Sequence, residues 1–264
     1  MIVRRAEQKI AALLAPVAGE DARLEASFLL RASGFRSPYQ NVTEADAKLL
    51  EPLIERRLSG EPLQYVLGEW EFYGLSFYVD KSVLIPRPDT EILVETAIGL
   101  LSEDRRDVLD LCCGSGCIGI ALAACASARV TAADISADAL ALAERNARRN
   151  GVALTTVQSD LFDAVEGAFD LIVSNPPYLS GKEMDARDAS LRYEPALALY
   201  GGEDGLDFYR RIAADYRRYL KPGGALLLEI GMTQRDAVEA LFEHGECICD
   251  YGGRPRVIVV KDHD

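Results

Sequence analysis

Apolar positions near the start of the chain recur at helical spacing. Ile10, Leu13, Leu14 and Val17 mark one stretch, and Leu24, Phe28 and Leu29 mark a second that stops before Gly34. Thr43, with Asp46 three residues on, has the spacing of a capping box and opens a third stretch through Leu49, Leu50, Leu53, Ile54 and Leu58 to Gly60. Residues 1–60 are therefore expected to form a small helical domain. It carries no cluster of catalytic residue types, so periodicity alone favours packing over docking of a partner. Residues 61–88 change character: Trp70, Phe72, Tyr73, Phe77, Tyr78 and Val79, broken by Gly68 and Gly74, predict a hairpin linker.

From residue 89 to 264 the pattern becomes strand, loop and helix in alternation. Val108–Leu111, Arg129–Ala133, Thr155–Gln158 and Leu171–Val173 read as short buried strands. Helices are expected over Ile118–Ala126 and over Ala137–Asn150, the latter capped by Ser136 before it and Gly151 after it. This alternation predicts an α/β domain with a doubly wound parallel sheet that binds ligand at the carboxyl ends of its strands. The tail differs. Leu226–Ile230, Glu246–Cys249 and Arg256–Val260 read as strands, and the Gly252-Gly253-Arg254-Pro255 link predicts an antiparallel hairpin closing the sheet.

With 264 residues, 49% of them hydrophobic, the chain can bury one large core and a small one. No segment approaches the roughly 18–20 apolar residues that span a bilayer, and no secretory leader follows Met1, so a cytoplasmic location and no membrane partner are expected. Six cysteines (Cys112, Cys113, Cys117, Cys125, Cys247 and Cys249) lack the paired CxxC spacing of a zinc site and read as reduced, mostly buried thiols; no metal is expected. A net charge of −13 opposes binding to a phosphate backbone, so no direct nucleic-acid partner is expected. A monomer is expected.

Candidate chemistry gathers at the strand ends. Cys112, Cys113, Gly114, Ser115 and Gly116 form a glycine-containing turn after the first strand, and Gly114, Gly116 and Gly119 satisfy GxGxxG. That spacing fits a dinucleotide, an adenosyl group or a structural turn. Asp134 ends the next strand, 20 residues beyond Gly114, where a carboxylate accepts both hydroxyls of a ribose. The third strand is followed by Asp160, Leu161 and Phe162, a polar group with apolar neighbours suited to an adenine. The fourth runs into Asn175-Pro176-Pro177-Tyr178. This tetrapeptide reads equally as a strand-terminating turn or as a pair of fixed acceptors beside an aromatic wall, a site for a planar NH2 group. A nicotinamide enzyme calls for a His or Lys near the ring, and neither His244 nor His263 falls near these strand ends. The combination favours an S-adenosylmethionine-dependent methyltransferase.

The sequence resembles the release factor glutamine methyltransferases of the HemK type. The resemblance rests on Gly60–Gly68 (GEPLQYVLG), Phe72–Phe77, Leu84–Glu91 (LIPRPDTE), the glycine loop, Asn175–Tyr178, Glu194–Leu199, Gly201–Leu206 and Leu228–Gly231, in one order over nearly the whole chain. It implies a class I, Rossmann-like sheet of seven strands and methylation of the side-chain amide nitrogen of the glutamine in the Gly-Gly-Gln motif of class I peptide-chain release factors. It also implies that the Asn-Pro-Pro-Tyr loop binds that amide and that the helical domain helps to hold the protein substrate. The family usually has a glycine at Cys112 and a small hydroxyl residue at Cys113, so this chain departs from it in the cofactor loop.

An amide nitrogen is a poor nucleophile because its lone pair is delocalised into the carbonyl. The Asn175 side-chain oxygen and the Pro176 main-chain carbonyl are expected to accept its two N–H bonds and localise that pair, with Pro177 stiffening the loop and Tyr178 packed on the amide plane. Arg87, Thr90 and Glu91 border either the methyl donor or the mouth of the site, or merely cap a helix. The same loop fits the exocyclic amine of adenine, and glutamine methylation of a ribosomal protein uses the same chemistry.

Overall fold

The structure, a computed structural model, describes residues 1–261; His263 lies outside them. The chain divides into two compact units, Met1–Glu69 with Asp188–Tyr193, and Trp70–Arg187 with Glu194–Asp264.

The first unit holds α1 (Val3–Ala18), α2 (Ala22–Ala32), α3 (Glu44–Leu58) and α4 (Leu63–Leu67). Thr43 caps α3 through the expected box, its hydroxyl accepting from the Asp46 N–H while Asp46 accepts from the Thr43 N–H. The buried stripes are Val3, Ala6, Ile10 and Leu14 on α1 and Ala22, Ala26, Leu29 and Leu30 on α2. Leu13, Leu24 and Leu49, expected in those stripes, are instead 54%, 57% and 68% exposed, because Leu13 and Leu49 lie about a quarter-turn off their helices' buried faces and Leu24 lies nearly opposite the buried face of α2. Arg57 on α3 is buried. It donates to both oxygens of Glu25 on α2 (2.7 and 3.1 Å) and to the Val17 carbonyl on α1 (3.1 Å), joining three helices through one guanidinium.

The second unit opens at Trp70, within the hairpin of β1 (Glu69–Phe72) and β2 (Leu75–Tyr78), followed by α5 (Glu91–Leu100), β3 (Asp107–Leu111), α6 (Cys117–Ala126), β4 (Arg129–Asp134), α7 (Ala137–Arg149), β5 (Thr155–Gln158) and β6 (Phe169–Ser174). It continues through α8 (Gly181–Ala186), α9 (Asp207–Asp215), β7 (Leu220–Glu229), α10 (Arg235–Glu239), β8 (Gly245–Cys249) and β9 (Pro255–Lys261). The residues expected as a separate 61–88 linker are shared between the units. α4 belongs to the first, and the hairpin belongs to the second because Phe72 and Phe77 are buried in its core.

Seven strands form one sheet in the order β5-β4-β3-β6-β7-β9-β8. All neighbours are parallel except β7–β9 and β8–β9, which makes the expected antiparallel tail. Alternation along the strands splits the core. Val108, Val130, Leu171, Leu227 and Val257 face α5 and α6, whereas Leu109, Ile172, Leu226 and Ile258 face the side of Tyr209, Ile212 and Val238 from α9 and α10. At the amino ends of the strands Lys221 and Arg129 neutralise Asp107, and Lys221 also reaches Asp170 (3.1 Å). These cations hold the Asp107 carboxyl at about 2. The six cysteines are free thiols; Cys113 and Cys117 are buried, but Cys125 and Cys249 are exposed, contrary to the mostly buried set expected.

Candidate active site

Register places Leu111 beside Ala133 and Ser174, and Asp134 beside Gln158, so the carboxyl ends of β3, β4, β5 and β6 lie along one edge. A cavity of about 330 Å³ opens there, within the range of small-molecule sites. Cys112, Cys113, Gly114 and Ser115 line it from the β3 end, Asp134 from β4, Asp160 and Leu161 from β5, and Asn175 and Pro177 from β6.

The glycines of the turn have separate tasks. Gly114 (φ +52°) has nothing within 4 Å of where a Cβ would sit, so bare backbone faces the cavity. At Gly119 a Cβ would lie 2.8 Å from Val130 and 2.9 Å from Asp110, which makes this position the contact of α6 with the sheet. Gly116 does not line the cavity; it caps α6 at φ +77°, where a Cβ would press on Ala143 and Ile120. Cys112 is in the left-handed region (φ +56°), as is Leu161 (φ +53°). A residue with a Cβ pays roughly 1–2 kcal/mol for that conformation, which accounts for the glycine usual at the first position.

Asp134 accepts from the Gly114 N–H (2.9 Å) through one oxygen and from the Ser136 N–H (2.9 Å) through the other. Each oxygen keeps a lone pair, so the carboxylate can also take a diol. Burial raises its pKa, opposed by these N–H groups. Asp160, also on the rim, is paired with Arg211 at 2.9 Å. Phe162, expected beside an adenine, is turned inward and stacked on Tyr219 (centroids 4.6 Å apart), leaving Leu161 as the apolar lining on that side. Its larger ring is buried in the core where Leu161 spans the boundary.

Asn175 donates from Nδ2 to the Thr90 hydroxyl (3.3 Å), which leaves its Oδ1 as an acceptor. Pro176 is buried behind the lining. The Tyr178 ring is not where the expected aromatic wall would stand. It packs at the edge of the core beside Gly231, where burial pushes its hydroxyl up to about 12. Its main chain instead anchors the loop: Gln234 donates to the Tyr178 carbonyl (3.0 Å) and to that of Gly205 (3.1 Å). Gly201 and Gly205 lie against this loop so closely that a Cβ would fall 2.6 Å from the Pro177 oxygen and 2.4 Å from the Tyr178 oxygen.

Arg87 and Thr90 border the cavity, whereas Glu91 accepts from the Tyr73 N–H (2.8 Å) and serves the hairpin. Arg87 is paired with Glu194, whose other oxygen accepts from the Ile85 N–H (3.0 Å) and so fastens the lining residues Pro86 and Pro195. Asn146 on α7 was not singled out by sequence. Fully buried, it clamps both main-chain groups of Tyr78 (2.7 and 3.1 Å) and the Ser115 carbonyl (2.9 Å), fixing the glycine turn. A polar residue at a buried helical position was its sole signal.

Residues 88–191 match the family model of the methyltransferase small domain, and residues 4–68 that of the PrmC N-terminal domain. Among solved structures, a methyltransferase from Pyrococcus furiosus has a similar fold, with a TM-score of 0.55, 18% identity, and 83% of this chain and 98% of that chain covered. The 16S rRNA N2 G1207 methyltransferase of T. thermophilus is similar at 21% identity and a TM-score of 0.54, over 74% of this chain and 50% of that one. The release factor glutamine methyltransferase of Agrobacterium fabrum is 43% identical over 238 residues, 85% of this chain and 82% of its relative. That of Geobacter sulfurreducens is 42% identical over 257 residues, covering 90% and 89%. With such identity over most of both chains, on a methyltransferase sheet, this chain belongs to the release factor glutamine methyltransferase family.

Proposed function

We propose that this chain methylates the side-chain amide nitrogen of the glutamine in the Gly-Gly-Gln motif of class I peptide-chain release factors, acting in translation termination in the cytoplasm. The observation that carries this reading is the side chain of Asn175: it lines the cavity, its NH2 is engaged by Thr90, and its oxygen is left to accept from a planar amide. The donor set fits S-adenosylmethionine. Bare backbone at Gly114, a carboxylate with spare lone pairs at Asp134 and an apolar wall at Leu161 suit the methionine, ribose and adenine parts, with Cys112, Cys113, Ser115 and Asp160 around them.

When bound, S-adenosylmethionine supplies an electrophilic methyl group on a sulfonium, leaving a neutral thioether. The Asn175 Oδ1 and the Pro176 carbonyl accept the two N–H bonds of the acceptor amide and draw its nitrogen toward tetrahedral geometry. Gln234, Gly201 and Gly205 hold the Asn175–Tyr178 loop in place for this task. Positioning of this kind supplies roughly 7–11 kcal/mol in favourable systems. No strong base is required, since the nitrogen becomes acidic once methylated and gives its proton to water. The helical unit, with Leu13, Leu24 and Leu49 exposed, is assigned to holding the protein substrate.

A nucleic-acid amine is the second reading of the same loop. The net charge of −13 opposes it, as does the pairing of the lining cations Arg87 and Arg211 with Glu194 and Asp160. Labelled S-adenosylmethionine is incubated with the enzyme and either a release factor, its Gly-Gly-Ala variant, a ribosomal protein or adenine-containing DNA. Label is expected in the intact release factor only; label in the Gly-Gly-Ala variant or in DNA would overturn the assignment.

A further inference from the structure

Two arginines line the cavity, Arg87 and Arg211, and each is held by a carboxylate. The two pairs differ in burial. Arg211 and Asp160 meet on the open rim with 46% and 41% of their side chains exposed, where water and salt screen them. The side chain of Glu194 is 2% exposed, against 36% for its partner Arg87. Both Glu194 oxygens are nonetheless engaged: one accepts from Nη2 of Arg87 and the other from the Ile85 N–H at 3.0 Å. These bonds offset the hydration that a buried carboxylate gives up.

Local sequence keeps this cation in the wall. Arg87 stands between Pro86 and Pro88, which restrict the backbone on either side of it; it is extended (φ −101°, ψ 141°) and leads into the turn of Pro88–Thr90. Ile85, one residue before Pro86, is 1% exposed and tied to Glu194. The stretch ends on Thr90, whose hydroxyl accepts from Asn175 at 3.3 Å. Arg87 therefore borders the half of the cavity that holds Asn175, and its backbone cannot draw away.

We propose that Glu194 makes this cavity prefer the methyl donor, S-adenosylmethionine, over its demethylated product, S-adenosylhomocysteine. This preference rests on S-adenosylmethionine occupying the cavity and does not depend on which amide is methylated. Donor and product share the adenosine and amino-acid parts, and the donor alone carries a methyl group and the positive charge of a sulfonium. The charge of the wall therefore acts on the difference between them. An unpaired Arg87 repels the sulfonium and leaves the neutral thioether nearly unaffected. Paired with Glu194, Arg87 gives the wall its stem and no net charge, and the lining acids Asp134 and Asp138 bias the cavity toward a cation. Glu194 is thus a positioning residue that acts through Arg87.

The test measures Kd for S-adenosylmethionine and for S-adenosylhomocysteine by calorimetry on the full chain, without release factor, and reads their ratio. A general loss of packing weakens both ligands together and leaves the ratio alone. Glu194→Gln keeps the shape and loses the charge, and it is expected to shift the ratio roughly three- to tenfold toward the product, as for one unit charge in a partly wet site. Glu194→Asp keeps the charge with a shorter reach and is expected to hold nearly the wild-type ratio even where both ligands bind less well. Arg87→Met spares the bond from Ile85 to Glu194, so the fold is kept, and the ratio is expected to move the other way, toward the donor. Combining Arg87→Met with Glu194→Gln should bring it back near the wild type. An unchanged ratio in Glu194→Gln or in Arg87→Met, or a double variant shifted as far as Glu194→Gln, overturns the proposal. Asp134→Ala is measured beside them: if neither ligand weakens, the cofactor does not occupy this cavity and the proposal falls with that assignment, whereas weakened binding there with unmoved ratios elsewhere refutes the charge role of Glu194 alone.

Discussion

Asn175 and Asp134 both meet the cavity but are assigned to different partners, and single substitutions separate them. Asn175→Ala removes an acceptor from the reacting amide, so kcat is expected to fall by roughly 10²–10³, as for the loss of one preorganised polar group. Cofactor affinity, measured by calorimetry, should change little. Asp134→Ala removes hydrogen bonds to a charged group and is expected to weaken cofactor binding by roughly 10- to 100-fold; unchanged affinity would refute the ribose contact. Asp110, one strand-end residue away from the glycine turn, reports on burial. Its Oδ2 accepts from the Gly119 N–H (2.9 Å), its Oδ1 has no partner, and burial pushes the carboxyl from 3.8 up to about 7. The folded state therefore holds a proton that the unfolded chain releases at lower pH. The associated stability is complete below pH 3.8 and is lost as pH rises through about 7. Asp110→Asn is expected to flatten the pH dependence of the unfolding free energy between pH 5 and 7 by about 1.4 kcal/mol per unit. Urea unfolding across that range checks it, and parallel slopes would show that Asp110 is ionised in the folded state.

At the scale of elements, the site is a set of loops pinned by neighbours distant in sequence. The Asn175–Tyr178 loop is pressed on by Gly201 and Gly205 and tied by Gln234; the glycine turn is tied to α7 by Asn146. Gly205→Ala places a methyl group 2.4 Å from the Tyr178 oxygen at φ +76°, so the loop must shift. The expected outcome is a stability loss of roughly 1–3 kcal/mol and a fall in kcat exceeding any change in cofactor affinity. Wild-type kcat in this variant would show that the loop position is not set there. The elements themselves were largely legible. The strands and the two helices expected from residue 107 onward follow period-2 and period-3.6 patterns and the Ser136 cap and differ from expectation by a few residues at most ends, with β7 beginning earlier at Leu220, whereas α8, α9 and α10 had no expected range. Exposure was less legible. Leu13, Leu24 and Leu49 fit a helical pattern as well as their buried neighbours do, and the choice of face was made by packing against other helices.

For the whole molecule, the dominant property is charge. The net charge of −13 is compatible with docking to a partner of basic surface, since association of like charges is disfavoured. Raising ionic strength from 50 to 500 mM is therefore expected to raise KM for the release factor several-fold while leaving cofactor affinity nearly constant, because screening acts on exposed charges and little on buried contacts. A flat salt response would count against electrostatic docking. The sequence by itself determined the alternating fold, the antiparallel tail and the candidate strand ends, since periodicity, caps and turn residues are local properties of the chain. It also held the motifs that relate the chain to its family. Only the tertiary structure decided which way each side chain faces once those motifs meet. It turned Phe162 and the Tyr178 ring into the core, assigned Gly116 to helix packing, and brought the Thr90 hydroxyl to the Asn175 carboxamide. Thr90 and Asn175 are separated by 85 positions in sequence. Their partnership arises from the packing of α5 against the sheet, and no local pattern encodes it.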